Sequence, residues 1–309
     1  MNKRLAIGID LGGTNLRVAL VTRDGEIIRK EKEPTSEKIL DSLFRLSDSI
    51  FSEDIAGIGL GVAGLVDRKG GKIAISPNIP ALEGINLVKE IREKFRVPVF
   101  IENDANAAAL GEKWIGTGKE FSDFVLFTLG TGIGGGIVKD KKLLNVAAEI
   151  GHMTIKVNGE KCFCGNSGCL ESYASARAIV SRVVSALEKG RESMLKQSHS
   201  GNFYKLSVED IYRMALEGDS LARDVIKEAG KHLGIGIANI VNVMSPEAII
   251  LAGGLTGAWD IYIQEAIQEA SKRAFKVLFD AVKIIPSLLG DDAGIIGSAG
   301  LVFHGYREI

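Results

Sequence analysis

All three cysteines of the 309-residue chain lie within an eight-residue stretch, and a histidine precedes the first of them by ten residues. Three thiolates and one imidazole form a Cys₃His set, which suits tetrahedral Zn²⁺ with no open position. The C-x-C-x₄-C spacing is tighter than the usual C-x₂-C pairs, so three buried thiols beside a core histidine are the alternative interpretation. The candidate ligands are His152, Cys162, Cys164 and Cys169.

Two glycine-rich turns, DLGGT (10–14) and LGTGIGGG (129–136), stand between strand-like runs at equivalent places in what looks like an internal duplication. Glycine lacks a Cβ and allows positive φ, so backbone N–H groups in such turns can converge on phosphate oxygens. Asp10 could hold Mg²⁺ directly or through water. Neither turn fits the P-loop or the dinucleotide fingerprint. A third turn, AGGLTG (252–257), could lie against a nucleotide's base and ribose.

The sequence IENDAN (101–106) supplies a candidate general base, Asp104, between a strand-like run and a predicted helix over 105–114. In phosphoryl transfer an aspartate accepts the proton of the acceptor hydroxyl. The structural alternative is that Asp104 is the N-cap of that helix. Asn103, whose amide both donates and accepts, suits a sugar hydroxyl.

These residues require a scaffold that alternates strands and helices, which is typical of an α/β protein. The length favours two domains. Apolar spacing and breaker residues predict the main elements. Helices are expected at 39–51, 105–114, 171–188, 208–243 and 291–305, and strands at 5–10, 16–21, 26–33, 56–66, 97–104, 123–128, 135–138, 248–254 and 282–289.

The composition excludes several classes of protein. Lysine and arginine number 38 against 39 acidic residues, for a net charge of −1, which lacks the basic excess of a nucleic-acid or anionic-membrane binder. Asp10 interrupts the first apolar run, and no run approaches the ~18 residues needed to cross a membrane. We therefore expect no signal peptide, no nucleic-acid or membrane partner, a cytoplasmic location and reduced thiols.

Seven motifs together resemble the ROK family (repressors, open reading frames and kinases), and within it the bacterial glucokinase-like sugar kinases. They occur in the family's order over nearly the whole chain. The motifs are GIDLGGTNLRVAL (8–20), SPNIP (76–80), IENDANAAALGE (101–112), TLGTGIGGGIV (128–138), AAEIGHM (147–153), CFCGNSGCLES (162–172) and ILAGGL (250–255).

The resemblance implies a two-lobed actin-like ATPase (ribonuclease H-like) fold, with duplicated βββαβα-type halves and an interlobe cleft. It implies a small lobe of residues 1–105 plus 292–309 and a large lobe of residues 106–291 that carries the zinc loop. It also implies a hexose kinase, with glucokinase as the first expectation, that transfers the γ-phosphate of Mg·ATP to the 6-hydroxyl of glucose. Family members commonly form dimers or tetramers.

The resemblance also assigns roles to individual positions. Asp104 is the implied base and the zinc is implied to be structural. The implied sugar contacts are Asn78, Asn103, Asp104, Glu149, His152 and Glu171. The implied nucleotide and magnesium contacts are Asp10, Gly12, Gly13, Thr14, Thr131, Gly132, Gly253 and Gly254. By itself, Glu171 would be read as a first-turn helix residue favoured by the helix dipole.

The chain departs from the family pattern just before Glu149, where a glycine-rich approach is replaced by Leu-Asn-Val-Ala-Ala (144–148). Asn145 can adopt the left-handed conformation that glycine would supply. Ala148 stands where a glycine is usual.

Other functions stay open. N-acetylmannosamine, N-acetylglucosamine, fructose, mannose or allose could replace glucose. The family's repressors carry a helix-turn-helix before the first phosphate motif, which here begins at Gly8, so we expect no DNA binding. An actin-like ATPase switch would share the glycine turns but would not need the other motifs.

Overall fold

The structure is a computed structural model that describes residues 4–76 and 79–305. Two five-stranded sheets and one two-stranded sheet are present in the described residues. The strands are β1 (Leu5–Leu11), β2 (Asn15–Thr22), β3 (Ile27–Pro34), β4 (Ile55–Val62), β5 (Leu65–Asp67), β6 (Lys72–Ile75), β7 (Val99–Asn103), β8 (Phe124–Leu129), β9 (Ile133–Lys139), β10 (Lys142–Leu143), β11 (Ala248–Ala252) and β12 (Lys283–Pro286).

The two large sheets share one topology, which confirms the duplication expected from the sequence. Their strand orders are β3-β2-β1-β4-β7 and β10-β9-β8-β11-β12, so each half begins with a three-strand meander and then adds two strands beside the first. In the first sheet β1 pairs antiparallel with β2 and parallel with β4. The small sheet is the β5–β6 hairpin.

The helices that the apolar spacing predicts are present, with two interruptions, and three further helices, over Leu87–Phe95, Gln264–Arg273 and Lys276–Ala281, lie where the spacing predicts none. The predicted helix over 171–188 is broken at Ser175, whose side chain caps the second piece, and the one over 208–243 is broken before Ser220. The helices are α1 (Ile39–Ile50), α2 (Leu87–Phe95), α3 (Asp104–Trp114), α4 (Glu171–Ala174), α5 (Ala176–Glu188), α6 (Val208–Leu216), α7 (Ser220–Met244), α8 (Gln264–Arg273), α9 (Lys276–Ala281) and α10 (Ala293–Phe303).

The chain divides into two compact units. Within the described residues, the first unit takes residues up to 126, residues 135–148 and residues from 285 onward. The second unit takes residues 127–134 and 149–284. The lobe limits that the family resemblance implies, at 105 and 292, stay a prediction.

In the first unit, the two faces of the sheet bury different kinds of side chain. Alternation along β1 directs Ile7, Ile9 and Leu11 into a core shared with α1 and α2. Helix α1 meets this core with the apolar stripe that its sequence spacing predicts. The opposite face carries small residues, Ala6 and Gly8, and packs against α10.

Helix α10 approaches its neighbours so closely that backbone meets backbone. A Cβ added to Gly297 would lie 1.6 Å from the carbonyl oxygen of Ala107 in α3. A Cβ on Gly59 of β4 would lie 1.8 Å from the carbonyl oxygen of Ser298. Glycine at these two positions is therefore a packing requirement, although glycine costs free energy in an isolated helix.

In the second unit, the 25-residue α7 packs along α8, and glycines again allow a close approach to backbone carbonyl oxygens. Gly230 and Gly234 of α7 face the carbonyl oxygens of Tyr262 and Ala266, where an added Cβ would come within 2.5 Å of each oxygen. The segment from 153 to 170 between the EIGH motif and α4 has little regular structure. Within residues 4–76 and 79–305, no helix combines the length and the apolar character that a bilayer crossing requires.

Gly297→Ala should destabilise the protein, because the new methyl group would overlap a backbone carbonyl oxygen that α3 cannot easily move. Overpacking of this kind costs about 1–3 kcal/mol, and we expect the upper end. Thermal unfolding would measure the effect. Gly257→Ala is the matched control, since no heavy atom lies within 4 Å of an added Cβ there. Equal melting temperatures for the two variants would contradict this account of the α10 contact.

Candidate active site

Asp10 lies at the end of β1 in the first unit and faces Arg17 on the neighbouring strand β2. The two side chains are 3.7 Å apart, and Arg17 also donates a hydrogen bond of 2.5 Å to the carbonyl oxygen of Asp291. Burial, reinforced by the charge of Asp104, raises the pKa of Asp10 to about 7, although Arg17 lowers it. Asp291 and Asp292 raise it further. Sequence reasoning missed Arg17, although a tight β1–β2 hairpin would pair it with Asp10.

The carboxylates around Asp10 are suited to a divalent cation. Several carboxylates act on one another there, and hard oxygen donors are the ligands that Mg²⁺ prefers. A buried carboxylate with a raised pKa is costly to ionise until a cation offsets its charge. Asp10 is thus the first-unit residue best suited to hold Mg²⁺ directly or through water.

The DLGGT turn follows β1, and its backbone is hydrogen-bonded at Gly12, which does not use the positive φ that is open to glycine. The Gly12 N–H donates to the carbonyl oxygen of Asn15, and Thr35 donates to the carbonyl oxygen of Gly12. Gly13 and Thr14 are exposed, which leaves this part of the turn open to a ligand.

Asp104 is the first residue of α3 and not its N-cap, so the structural alternative for this residue was wrong. The N-cap is Asn103, whose Oδ1 accepts hydrogen bonds from the N–H groups of Ala105 and Asn106. Asp104 Oδ1 accepts a hydrogen bond of 2.9 Å from the Ala105 N–H. Burial nevertheless raises the pKa of Asp104 above its ordinary value. A carboxylate whose pKa is raised toward neutrality is a better general base than an ordinary one.

The Asn103 amide is largely engaged within the protein. Besides capping α3, it donates from Nδ2 to the carbonyl oxygen of Gly64 at 3.1 Å. The second N–H of Nδ2 is the group that a sugar hydroxyl would use. Asn78, the other asparagine predicted to contact sugar, lies outside the described residues.

In the second unit, Glu171 contacts the glycine-rich turn after β8. Its Oε2 accepts a hydrogen bond of 2.8 Å from the Ile133 N–H, and a Cβ on Gly132 would lie 2.4 Å from the same oxygen. The structure therefore joins a residue predicted for sugar to a turn predicted for phosphate, and a side chain at position 132 would require the Glu171 carboxylate to move. Glu171 also begins α4, as its structural alternative required, and Thr131 beside Gly132 is exposed.

The third glycine turn has the backbone conformation expected of glycine. Gly253 follows β11 with φ of 94°, and a Cβ there would lie 2.4 Å from the carbonyl oxygen of Leu129. Gly254 begins a short 3₁₀ turn that leads through a π-helical turn into α8. No heavy atom lies within 4 Å of an added Cβ at Gly254, so the surface at this position is open.

The four candidate zinc ligands converge in the second unit. Their ligand atoms all lie within 4.8 Å of one another. Cys162 Sγ is 3.6 Å from His152 Nδ1, and Cys164 Sγ is 3.7 Å from Cys169 Sγ. Tetrahedral Zn²⁺ with bonds of ~2.3 Å to sulfur places two sulfurs ~3.8 Å apart, so the residues fit this ion. Burial, together with the neighbouring thiols, raises the pKa of the Cys169 thiol to about 12, a cost that a bound cation would offset.

The two ring nitrogens of His152 face different groups. Nδ1 faces the cysteine cluster, while Nε2 lies 3.9 Å from Oε2 of Glu149. Glu149 directly precedes a short 3₁₀ turn over Ile150–His152, and His152 is its last residue. This arrangement brings a predicted sugar carboxylate beside the ring nitrogen that does not face the cluster.

In the segment before Glu149, where the chain departs from the family pattern, the left-handed conformation is adopted by a different residue from the one we expected. Ala148, not Asn145, has the left-handed conformation, with φ of 50°. This conformation costs a residue with a Cβ roughly 1–2 kcal/mol. The chain passes from the first unit to the second directly after this residue. Ala148, which stands where the family usually has glycine, therefore holds this conformation under strain.

A cavity of about 630 Å³ also lies in the first unit, beside the turn after β5, the start of α2, strand β7 and the end of α10. Its lining residues include none of the candidate sugar, nucleotide or metal residues. The cavity is therefore separate from the chemistry considered above.

Comparison with known proteins places these motifs in one family. A model of the ROK family matches residues 6–304. The glucokinase of Halalkalibacterium halodurans is 36% identical over 98% of this chain and 96% of its own length. The xylose repressor of Caldicellulosiruptor bescii is 34% identical over 96% of this chain and 77% of its own length.

Among solved structures, a ROK family glucokinase from Streptomyces griseus in complex with glucose and AMPPNP is similar, with a TM-score of 0.82 and 30% identity. The alignment covers 96% of this chain and 98% of that one. The chain belongs to the ROK family, and the family and the fold inferred from its motifs are confirmed.

Asp10→Asn should stabilise the metal-free protein more at high pH than at low pH. The folded-state pKa of about 7 exceeds the ordinary value, so the folded state retains a proton that the unfolded state releases. The resulting loss of stability develops as pH rises from ~4 to ~7 and is complete above pH ~7. Melting temperatures in chelator at pH 5 and pH 8 would measure it.

The exposed Asp54→Asn is the control for this comparison. Mg²⁺ should raise the melting temperature of the wild-type protein at pH 8 and leave that of Asp10→Asn unchanged. If Asp10→Asn stabilises the protein equally at both pH values, the ionisation of Asp10 does not cost the folded state the expected stability.

Proposed function

We propose that this protein is an ATP-dependent hexose kinase, with glucose as its principal substrate and hexose 6-phosphate and ADP as its products. One observation carries the proposal: a partly buried aspartate with a raised pKa begins α3, at the position of the base in the family motif. Support comes from glucokinases at 34–36% identity over nearly the full length and from a related glucokinase structure that holds glucose and an ATP analogue.

In the proposed reaction, Asp104 accepts the proton of the sugar 6-hydroxyl as that oxygen attacks the γ-phosphorus of ATP. The bond from the γ-phosphorus to the β–γ bridging oxygen breaks, and ADP leaves with the bond's electron pair. Burial that raises the pKa of Asp104 favours proton acceptance at neutral pH. Mg²⁺, which Asp10 would hold, supplies charge stabilisation to the transferring phosphoryl group.

The proposed sugar contacts are carboxylates and amides that can match several hydroxyl groups at once. Glu171 would use the oxygen that does not bind the Ile133 N–H, and its position is fixed by that bond. Glu149 and the Nε2 of His152 would bind neighbouring hydroxyls, since they lie 3.9 Å apart. Asn78 and Asn103 complete the proposed set.

The proposed nucleotide contacts are the open glycine turns. Gly12, Gly13 and Thr14 would bind phosphate in the first unit, and Thr131 and Gly132 would bind it in the second. Gly253 and Gly254 would lie against the adenosine, where the backbone at Gly254 is open. We also propose that the Cys₃His cluster holds a structural zinc ion that orders the loop between His152 and Glu171.

Turnover of ATP with a panel of hexoses and N-acetylhexosamines, and with no sugar, tests the proposed activity. We expect sugar-dependent ADP release, fastest with glucose, with the product phosphorylated at the 6-hydroxyl. Asp104→Asn should lower kcat by about 10²–10⁴-fold, the usual contribution of a general base, and leave sugar affinity within a few-fold of wild type.

Asp54→Asn, at an exposed position, should retain wild-type kcat. Preference for an N-acetylhexosamine would keep the mechanism and change the substrate. Sugar-independent ATP hydrolysis would contradict the proposal and favour an ATPase switch. Sugar binding without turnover would favour a sensor of the repressor type.

Cys164→Ser should release zinc and raise the KM for sugar, because the loop that carries Glu149, His152 and Glu171 would lose its cross-link. Metal content by mass spectrometry and sugar affinity by calorimetry would measure both effects. The exposed Ser200→Ala, outside the cluster, should alter neither. A zinc-free variant with unchanged sugar affinity would contradict a structural role for the ion. The cytoplasmic location, the dimer or tetramer and the absence of a nucleic-acid partner stay predictions of the sequence.

A further inference from the structure

An ion pair with a fully buried carboxylate and a partly exposed arginine lies beside the candidate base in the first unit. Glu102, the residue before Asn103, has no exposed surface. Arg68, in the turn after β5, binds it through two parallel hydrogen bonds: Nε to Oε2 at 2.7 Å and Nη2 to Oε1 at 2.6 Å. This bidentate geometry depends on the planar guanidinium, and lysine cannot reproduce it.

The Glu102 carboxylate also contacts the start of α3. Its Oε1 accepts hydrogen bonds from the Asn103 N–H at 2.8 Å and from Nδ2 of Asn106 at 3.2 Å. Asp104 lies between these two residues in the chain. The carboxylate therefore restrains the turn of backbone from which the candidate base projects.

The same arginine reaches the segment that leads to Glu149. Arg68 Nη1 donates to Oδ1 of Asn145 at 2.6 Å, and Nη2 donates to the carbonyl oxygen of Val146 at 3.1 Å. Asn106 Nδ2 donates to that same carbonyl oxygen at 2.9 Å. Asn145 and Val146 belong to the stretch in which this chain departs from the family pattern.

Stability alone is a poor explanation for this arrangement. A buried ion pair pays a desolvation penalty, and replacement by packed apolar side chains is often neutral or stabilising. The pair instead connects three stretches that are distant in sequence: the β5–β6 turn, the start of α3 and residues 145–146. Two of these carry or lead directly to residues with proposed roles in sugar phosphorylation.

We propose that Arg68 is a positioning residue, which through Glu102 fixes the start of α3 and through Asn145 and Val146 fixes the approach to Glu149. One guanidinium then restrains both the segment that carries the base and the segment that leads to a proposed sugar-binding carboxylate. The kinetic part of this inference rests on the proposed function. The structural part, the joint restraint of the two segments, does not.

Kinetics of Arg68→Lys test the positioning role. We expect kcat/KM for glucose to fall at least about tenfold, since small misplacements of reacting groups carry large rate penalties. The KM for ATP should stay within about twofold, because no proposed nucleotide contact joins this network. Arg45→Lys is the matched control: it alters an arginine–glutamate pair with Glu33 that is exposed and distant from these residues in the chain.

Asn145→Ala provides a milder variant that leaves the buried pair intact. It should raise the KM for glucose about threefold without lowering the melting temperature, because it removes one hydrogen bond to Arg68 at an exposed position. If Arg68→Lys fails to fold, this variant decides the kinetic question. Wild-type kcat and glucose KM in whichever variant folds, with lowered thermal stability or none, would overturn the positioning role.

Hydrogen–deuterium exchange tests the structural part whether or not the protein phosphorylates sugar. In Arg68→Lys, peptides covering 102–106 and 143–149 should both exchange faster than in wild type, whereas in Asn145→Ala only 143–149 should, because the Arg68–Glu102 bonds remain. Arg45→Lys should change neither peptide. Unchanged exchange of 143–149 in either variant, or of 102–106 in Arg68→Lys, would overturn the joint restraint. A wild-type protein without sugar turnover would remove the proposed function and leave this measurement decisive for the network.

Discussion

The first unit depends on the backbone contact that α10 makes with α3, β1 and β4. Helices normally approach one another through side chains at 8–10 Å, but here glycines allow carbonyl oxygens to occupy the place of a side chain. Gly8, Gly59, Gly111 and Gly297 each face such an oxygen. Because α3 begins at Asp104 and β1 ends near Asp10, this packing fixes the elements that carry both carboxylates.

Those two carboxylates show how the fold accommodates charge that a stable core would exclude. Asp10 and Asp104 are both buried enough for their pKa values to rise, and the charge of Asp104 further disfavours the ionisation of Asp10. Arg17 offsets part of this cost at Asp10. The protein thus holds ionisable groups in an unfavourable environment, which is typical of sites prepared for a cation or a proton transfer.

In the second unit, the loop between residues 153 and 170 has little regular secondary structure. The Cys₃His cluster brings both ends of this loop together, with His152 before it and Cys169 near its end. Glu171 follows directly and is fixed by the Ile133 N–H. The cluster adds to backbone hydrogen bonds that join the two ends of the loop, from the Ile155 N–H to the carbonyl oxygen of Gly168 and from the Leu170 N–H to that of Met153.

The sequence by itself determined the family, the duplicated α/β plan and most helix and strand positions, because these follow from local periodicity and from contiguous motifs. It also determined the cysteine cluster, whose ligands are close in the chain. Only the tertiary structure decided that Asn103 caps α3, that Ala148 takes the left-handed conformation and that Arg68 joins Glu102. The Arg68–Glu102 pair joins groups 34 residues apart, and a local sequence pattern does not show which distant groups will meet. The Asn103 cap is local, but Asn103 and Asp104 are both suitable cap residues, and only the backbone geometry decides between them.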